Sequence, residues 1–179
     1  MFAHTIALLL AALFVGQTPK PPESKYDANR EVTVYSTGDV HTAGYSGYGA
    51  QFEFPGKTPS APSSISIGFG ALRLTHGLAP DKDQTVLHWN DVKAISLDFG
   101  GKTLEFPAKH AFNVSTNPQV TMFLGRALEE SLSISMTPSQ FRNLASTDSI
   151  RVQLGKDVQI IKGKSLGPLK RLAACIQEP

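Results

Sequence analysis

Apolar and polar residues alternate with period two over much of the chain, the pattern of half-buried β-strands. Glu31 to Ser36 is the first such run and Ser64 to Thr75 the longest. In the longer run Ile65, Ile67 and Phe69 share one face, and the phase then slips so that Leu72 and Leu74 continue it. Gly68 and Gly70 stand at the slip, which predicts a bulge or bend. Ile95 to Phe106 predicts a hairpin turning at Gly100-Gly101. A two-residue loop there pairs Leu97 with Leu104 and Ile95 with Phe106, and puts Ser96, Asp98, Thr103 and Glu105 on the other face. A slip of one residue scrambles both faces, so the register is well specified.

The last third mixes strands with helix signals. Ser131 to Met136 alternates serine with Leu132, Ile134 and Met136. Thr137 then reads as a helix N-cap, with Pro138 at the first helical position and Gln140 completing a capping box. Met136 and Phe141 stand at the positions of a hydrophobic staple, and Phe141, Leu144 and Ala145 form the inward side. A second hairpin follows, in which Ile150, Val152 and Leu154 face Val158 and Ile160 across a loop at Gly155-Lys156-Asp157. A closing helix from about Ser165 to Ile176 carries Leu169, Leu172, Ala173 and Ile176 as its apolar stripe. The sequence L-S-I-S-M, cap, F-R-N-L-A is echoed by V-Q-I-I-K, cap, L-K-R-L-A, a strand-then-helix unit used twice. These signals predict an α+β domain, mostly an antiparallel β-sheet of about seven to nine strands, with two short C-terminal helices packed on it.

The N-terminus changes the picture from a domain to an exported domain. Ile6 to Val15 is an uninterrupted apolar run, the length of a secretion-signal core and short of the roughly 20 residues a membrane-crossing helix takes. It has no polar face, which argues against a buried helix, although only the amino terminus and His4 precede it and no A-x-A cleavage triplet follows. No cysteine follows the core, which excludes a lipoprotein anchor. The expected division is a signal peptide over 1–18, a Pro-rich tether over 19–30 and a single globular domain over 31–179. The expected location is periplasmic or extracellular, with no transmembrane span after signal removal.

Composition narrows the function classes. About 160 residues remain after the signal, enough for one core. The net charge of +2 falls entirely after the signal and gives no nucleic-acid signature. The single cysteine, Cys175, pairs with nothing internally and reads as a half-buried small hydrophobe near a helix end.

Chemistry is sparse. Gly44 to Gly49 (G-Y-S-G-Y-G) misses the nucleophile-elbow pattern by one residue and lacks its strand-to-helix setting. An exposed Tyr45 and Tyr48 are instead candidates to stack on a sugar or aromatic ligand. The histidines show no metal-ligand spacing, and Asp81 and Asp83 are not followed by the rest of a calcium loop. No metal or cofactor is expected. His88 beside Trp89 is the densest polar-aromatic cluster, a contact candidate set against the more ordinary role of tryptophan as a core plug. Lys162, Lys164, Lys170 and Arg171 make the C-terminal third basic, a candidate contact for an anionic surface or acidic partner, set against a plain solvated face. The leading expectation is a non-catalytic protein that binds another protein or an envelope polymer, through edge strands or this basic face. The alternative is a small secreted hydrolase drawing a base from His76, His88 or His110 and an orienting group from Asp81, Asp83 or Asp91. A carrier of apolar ligands on the concave side of the sheet is a third possibility, and it needs a cavity.

Overall fold

The computed structural model describes residues 22–43, 46–57, 60–74, 89–114 and 127–176. The apolar run expected to be a signal lies outside them, as do Pro19 and Pro21 of the expected tether. The strands in chain order are β1 (Glu23–Asp27), β2 (Val32–Ser36), β3 (Val40–Ala43), β4 (Ser46–Pro55), β5 (Ile65–Leu74), β6 (Ala94–Phe99), β7 (Lys102–Pro107), β8 (Lys109–Val114) and β9 (Ala127–Met136). Helix α1 (Pro138–Ala145), strands β10 (Ser149–Leu154) and β11 (Asp157–Lys162), a 3₁₀ turn (Gly163–Leu166) and helix α2 (Gly167–Ala174) complete them. The domain is therefore mostly antiparallel β-sheet with two short C-terminal helices. Among the described residues eleven strands form two sheets, one in the order β1-β2-β4-β5-β9-β8 with β3 beside β4, the other in the order β11-β10-β6-β7.

Strand β1 lies inside the stretch read as a tether. It pairs with β2 from Glu23 opposite Ser36 to Asp27 opposite Val32. The turn between them is closed by Asp27, whose Oδ1 accepts the amides of Asn29 and Arg30 at 3.0 and 3.3 Å. The Arg30 guanidinium donates to Asp27 at 2.8 Å and to Glu53 on β4 at 3.0 Å. That guanidinium holds the Asp27 carboxyl below its ordinary pKa.

The β6–β7 hairpin has the register its sequence demands, Ile95 opposite Phe106 and Leu97 opposite Leu104. Gly100 and Gly101 both have positive φ, 55° and 75°, the conformation a two-residue turn of this twist requires. Helix α1 begins as expected: Thr137 accepts from the Gln140 amide, the Gln140 side chain accepts from the Thr137 amide, and Pro138 opens the first turn. No bulge interrupts β5, which keeps one register with β4 and with β9 throughout. Gly68 and Gly70 instead leave the sheet bare on its outer face.

Alternation on β4, β5 and β9 buries Tyr48, Phe52, Ile67, Phe69, Leu132 and Ile134. They join Ile95, Leu97, Ile150 and Val152 of the smaller sheet, and Phe141, Leu144, Leu169 and Leu172 of the helices, in one core. Each such side chain contributes about 1.5–3 kcal/mol through burial.

Strand β4 is long enough to take two partners along one edge. Gln51 to Pro55 pair with β2, and Ser46 to Tyr48 pair with β3. The break between those partners falls at Thr37–Gly38, where Gly38 has φ 62°. Thr37, buried, patches it by donating its amide to the Ala50 carbonyl and accepting the Ala50 amide on its hydroxyl, both at 2.9 Å. Past the break, β3 lies close to β11 of the other sheet. This seam between the sheets is where the polar chemistry gathers.

Candidate functional site

The hairpin that supplies β11 differs from its sequence reading by one residue. Its loop is Gly155-Lys156, not Gly155-Lys156-Asp157: Leu154 pairs with Asp157, Val152 with Gln159 and Ile150 with Ile161. Gly155, at φ 64°, supplies the left-handed residue that so tight a loop needs. Because strand faces alternate, one residue of slip inverts the strand. Gln159 goes to the inner side and is buried, while Val158 and Ile160 face outward at 47% and 53% exposure. A longer loop would have hidden the two aliphatic residues. The observed register buries Ile161 beside Gln159 instead.

The seam holds a pocket of about 320 Å³ lined by Thr42, Ser46, Ala71, Trp89, Leu154, Asp157, Val158, Gln159 and Ile160. Trp89 is buried at 3% exposure, as a core plug is, and also forms a wall of this pocket. Its indole N–H donates to Asp157 Oδ2 at 2.8 Å. The Gln159 Nε2 donates to the Thr42 hydroxyl, joining β11 to β3. Four polar side chains are buried among the described residues: Thr33, Thr37, Glu130 and Gln159. The two threonine hydroxyls bond to carbonyls and Glu130 accepts from two donors. Gln159 alone retains an atom, Oε1, with no partner among the described residues. A buried acceptor without a donor costs about 1–3 kcal/mol.

Beside the pocket stands a buried carboxylate that the sequence reading passed over. Glu130 is 1% exposed, and its Oε1 accepts both the Trp89 amide at 2.7 Å and His110 Nε2 at 2.9 Å. Period two in A-L-E-E-S-L-S-I-S-M already puts Glu130 in phase with Leu132, Ile134 and Met136, which is the available signal. The pair resembles a base and its orienting group, but Nε2 is spent on the carboxylate. Among the described residues no hydroxyl or thiol bonds to Nδ1. His76, His88, Asp81 and Asp83, the other members of the hydrolase reading, lie outside the described residues, and Asp91 is an exposed turn residue. The geometry of Glu130 is that of a clasp, tying the edge strand β8 and the chain at Trp89 to β9.

The remaining sequence candidates disperse. Tyr48 is not exposed: it is buried at 2%, its hydroxyl donates to the Ser165 carbonyl, and burial pushes its phenol pKa well up. The alternation of β4 turns it into the core, so it stacks on no ligand. Tyr45 lies outside the described residues. Lys162, Lys164 and Lys170 are exposed, and Arg171 is only partly so. Lys170 approaches Asp148 at 3.7 Å, and Arg171 sits against Gly167. Cys175 is half-buried at the C-cap of α2 and donates to the Arg171 carbonyl.

A second concavity, of about 1020 Å³, is a trough on the outer face of the seven-stranded sheet, lined in part by Gly47, Gly49, Gly68, Gly70, Ser131 and Ser133. A bare stretch of sheet names no ligand. Two of its glycines are nevertheless dispensable to the fold: a Cβ on Gly68 or Gly70 would meet nothing nearer than 3.9 or 4.0 Å. Since glycine within a strand costs about 0.5–1 kcal/mol relative to alanine, Gly68→Ala and Gly70→Ala are each expected to raise the thermal midpoint by about 1–4 °C. A fall in either, read by circular dichroism, would show that the backbone there needs glycine. Comparison with known proteins finds no matching family model, no matching curated protein and no matching solved structure.

Proposed function

We propose that this chain is an exported, non-catalytic binding protein whose ligand enters the seam between the β3–β4 hairpin and β11. One observation carries the reading: Thr42, Ser46, Trp89, Asp157 and Gln159 converge on one polar pocket, and the Gln159 amide, nine-tenths buried in its wall, keeps an atom without a partner among the described residues. A fold under selection for stability alone closes such an atom or replaces it with an aliphatic group. The register of β11 turns Gln159 inward beside Ile161, which is buried at 2% exposure. Export rests on the apolar run Ile6–Val15 and places the protein in the periplasm or outside the cell.

Native mass spectrometry of the protein recovered from its own host's envelope or medium tests both halves. The expected spectrum shows a mature chain lacking the apolar run and a discrete retained mass that is absent from Gln159→Leu. A full-length chain overturns export. A bare chain, together with a Trp89 emission spectrum unmoved by an extract of the host's envelope polymers, overturns the binding reading.

A further inference from the structure

Resting on that binding reading, we infer that the ligand of the seam is an extended segment of another protein, added as an antiparallel strand to the edge of β11. Among the described residues β11 is the end strand of its sheet and pairs only with β10. The two-residue loop fixes which of its backbone groups that pairing uses. A loop of this length closes on a hydrogen-bonded pair, here Leu154 with Asp157, and bonded and unbonded pairs alternate from there. Gln159 and Ile161 therefore exchange their N–H and C=O with β10, while those of Val158 and Ile160 turn the other way. The β6–β7 hairpin gives the same phase independently. Its loop closes on Phe99 and Lys102, so Ser96 and Asp98 bond to Gln153 and Arg151. That leaves Val152 and Ile150 to bond to Gln159 and Ile161.

The pocket is bordered by four successive residues of β11, from Asp157 to Ile160, so one wall is a stretch of strand edge rather than a single side chain. Strand β3 stands across the seam, and the side-chain bond from Gln159 to Thr42 joins the two. Gln159 points inward, so that bond passes on the inner side of the edge. The donors and acceptors of Val158 and Ile160 recur every second residue, about 6.8 Å apart. That is the repeat of an extended polypeptide, whose main-chain bonds to a sheet edge give affinity while its side chains give specificity. Residues of the added strand opposite Val158 and Ile160 lie beside two aliphatic groups 47% and 53% exposed, and are apolar. The residue opposite Gln159 points into the pocket toward Thr42 and Ser46, and is small and polar. Lys162, exposed, continues the outer face of Val158 and Ile160 and favours an acid opposite it. Read in its own direction, the segment is acid, any, apolar, small polar, apolar.

Trp89 is the chain's single tryptophan and lines the pocket, so its fluorescence reports the site without a label. The test titrates the intact protein with a capped peptide of sequence E-S-V-S-V, following Trp89 emission and the backbone amide resonances of Val158 and Ile160. A saturable change is expected, with both amides shifted and their hydrogen exchange slowed. Methylating the two valine nitrogens of the peptide removes the N–H groups that face β11. It is expected to raise the apparent Kd at least about tenfold, equivalent to about 1.4 kcal/mol, while methylating the two serine nitrogens leaves it within about threefold. On the protein, Ile160→Pro removes one N–H from the free edge, a place where proline is tolerated, and is expected to match that tenfold loss. Ile160→Thr keeps the N–H and is expected to weaken binding by less than about fivefold. If circular dichroism shows the proline variant unfolded, the methylated peptides on the unaltered protein still decide. Equal affinity of the parent and valine-methylated peptides, or no shift at the Val158 and Ile160 amides, overturns strand addition. A dimer in native mass spectrometry that Ile160→Pro dissolves assigns the edge to a second copy and overturns the partner protein. Where the peptide fails, a retained mass lost in Gln159→Leu keeps the binding reading with another ligand, and a bare chain removes both.

Discussion

Replacing Glu130 by alanine lowers the midpoint of thermal unfolding by roughly 10 °C, at about 3–5 kcal/mol for removing one member of a buried pair and about 2–4 °C per kcal/mol for a domain of this size. The size of the effect follows from the sharing of one oxygen. Glu130 Oε1 takes the Trp89 amide and His110 Nε2 together, and the carboxylate side chain has no exposed surface. Alanine leaves both donors facing a hole that neither can fill. Glu130→Gln preserves an acceptor oxygen of the same reach and is expected to lose less than half as much. Equal losses in the two variants would assign the stabilisation to the negative charge, and a loss below about 1 kcal/mol in alanine would remove the clasp altogether. Circular dichroism gives the midpoint, and Trp89 emission tells whether the seam loosens with it.

Gly155→Ala is expected to cost about 2–3 kcal/mol, from two sources that a second substitution separates. Gly155 has φ 64°, where a Cβ costs about 1–2 kcal/mol. That Cβ would also come within 2.7 Å of Val92 Cγ2, so the hairpin or the valine must move. In a Val92→Ala background only the backbone strain remains, and Gly155→Ala is expected to cost about 1–2 kcal/mol there. If the cost is the same in both backgrounds, Val92 plays no part in fixing the loop. Because this loop sets which face of β11 turns inward, the variant is also expected to disturb Trp89 emission.

The contrast between the two hairpins explains what the sequence makes legible. In β6–β7 the apolar residues on both sides of Gly100-Gly101 ask for the same loop that the turn itself favours, so local and tertiary demands agree. In β10–β11 they disagree. The apolar pattern asks for Val158 and Ile160 inside, while the turn places Gln159 there. Hydrophobic matching alone therefore lands one residue away. The capping box of α1 is legible because it is written within a few residues. Strand β3 is not, since V-H-T-A has weak alternation and exists as a strand through the split edge of β4. Strand β1 hides behind prolines that suggest a tether. Of the site, Trp89 was visible as a residue worth weighing, but Thr42, Ser46, Asp157 and Gln159 converge only through the contact between two sheets. Glu130 is legible from phase alone, as a charged residue on the apolar face of Leu132, Ile134 and Met136.

The two bonds that close the seam, Gln159 to Thr42 and Tyr48 to Ser165, each span 117 residues of chain. Every other step of the β2–β5 region and of the β6–β7 and β10–β11 hairpins joins near neighbours in sequence. Contacts of such long separation bear the largest loop-closure entropy and form after the local hairpins. The seam is therefore expected to close after the β6–β7 and β10–β11 hairpins have formed. A ligand held at the seam, as proposed, would tie together segments 117 residues apart and so oppose the parting of the two sheets there.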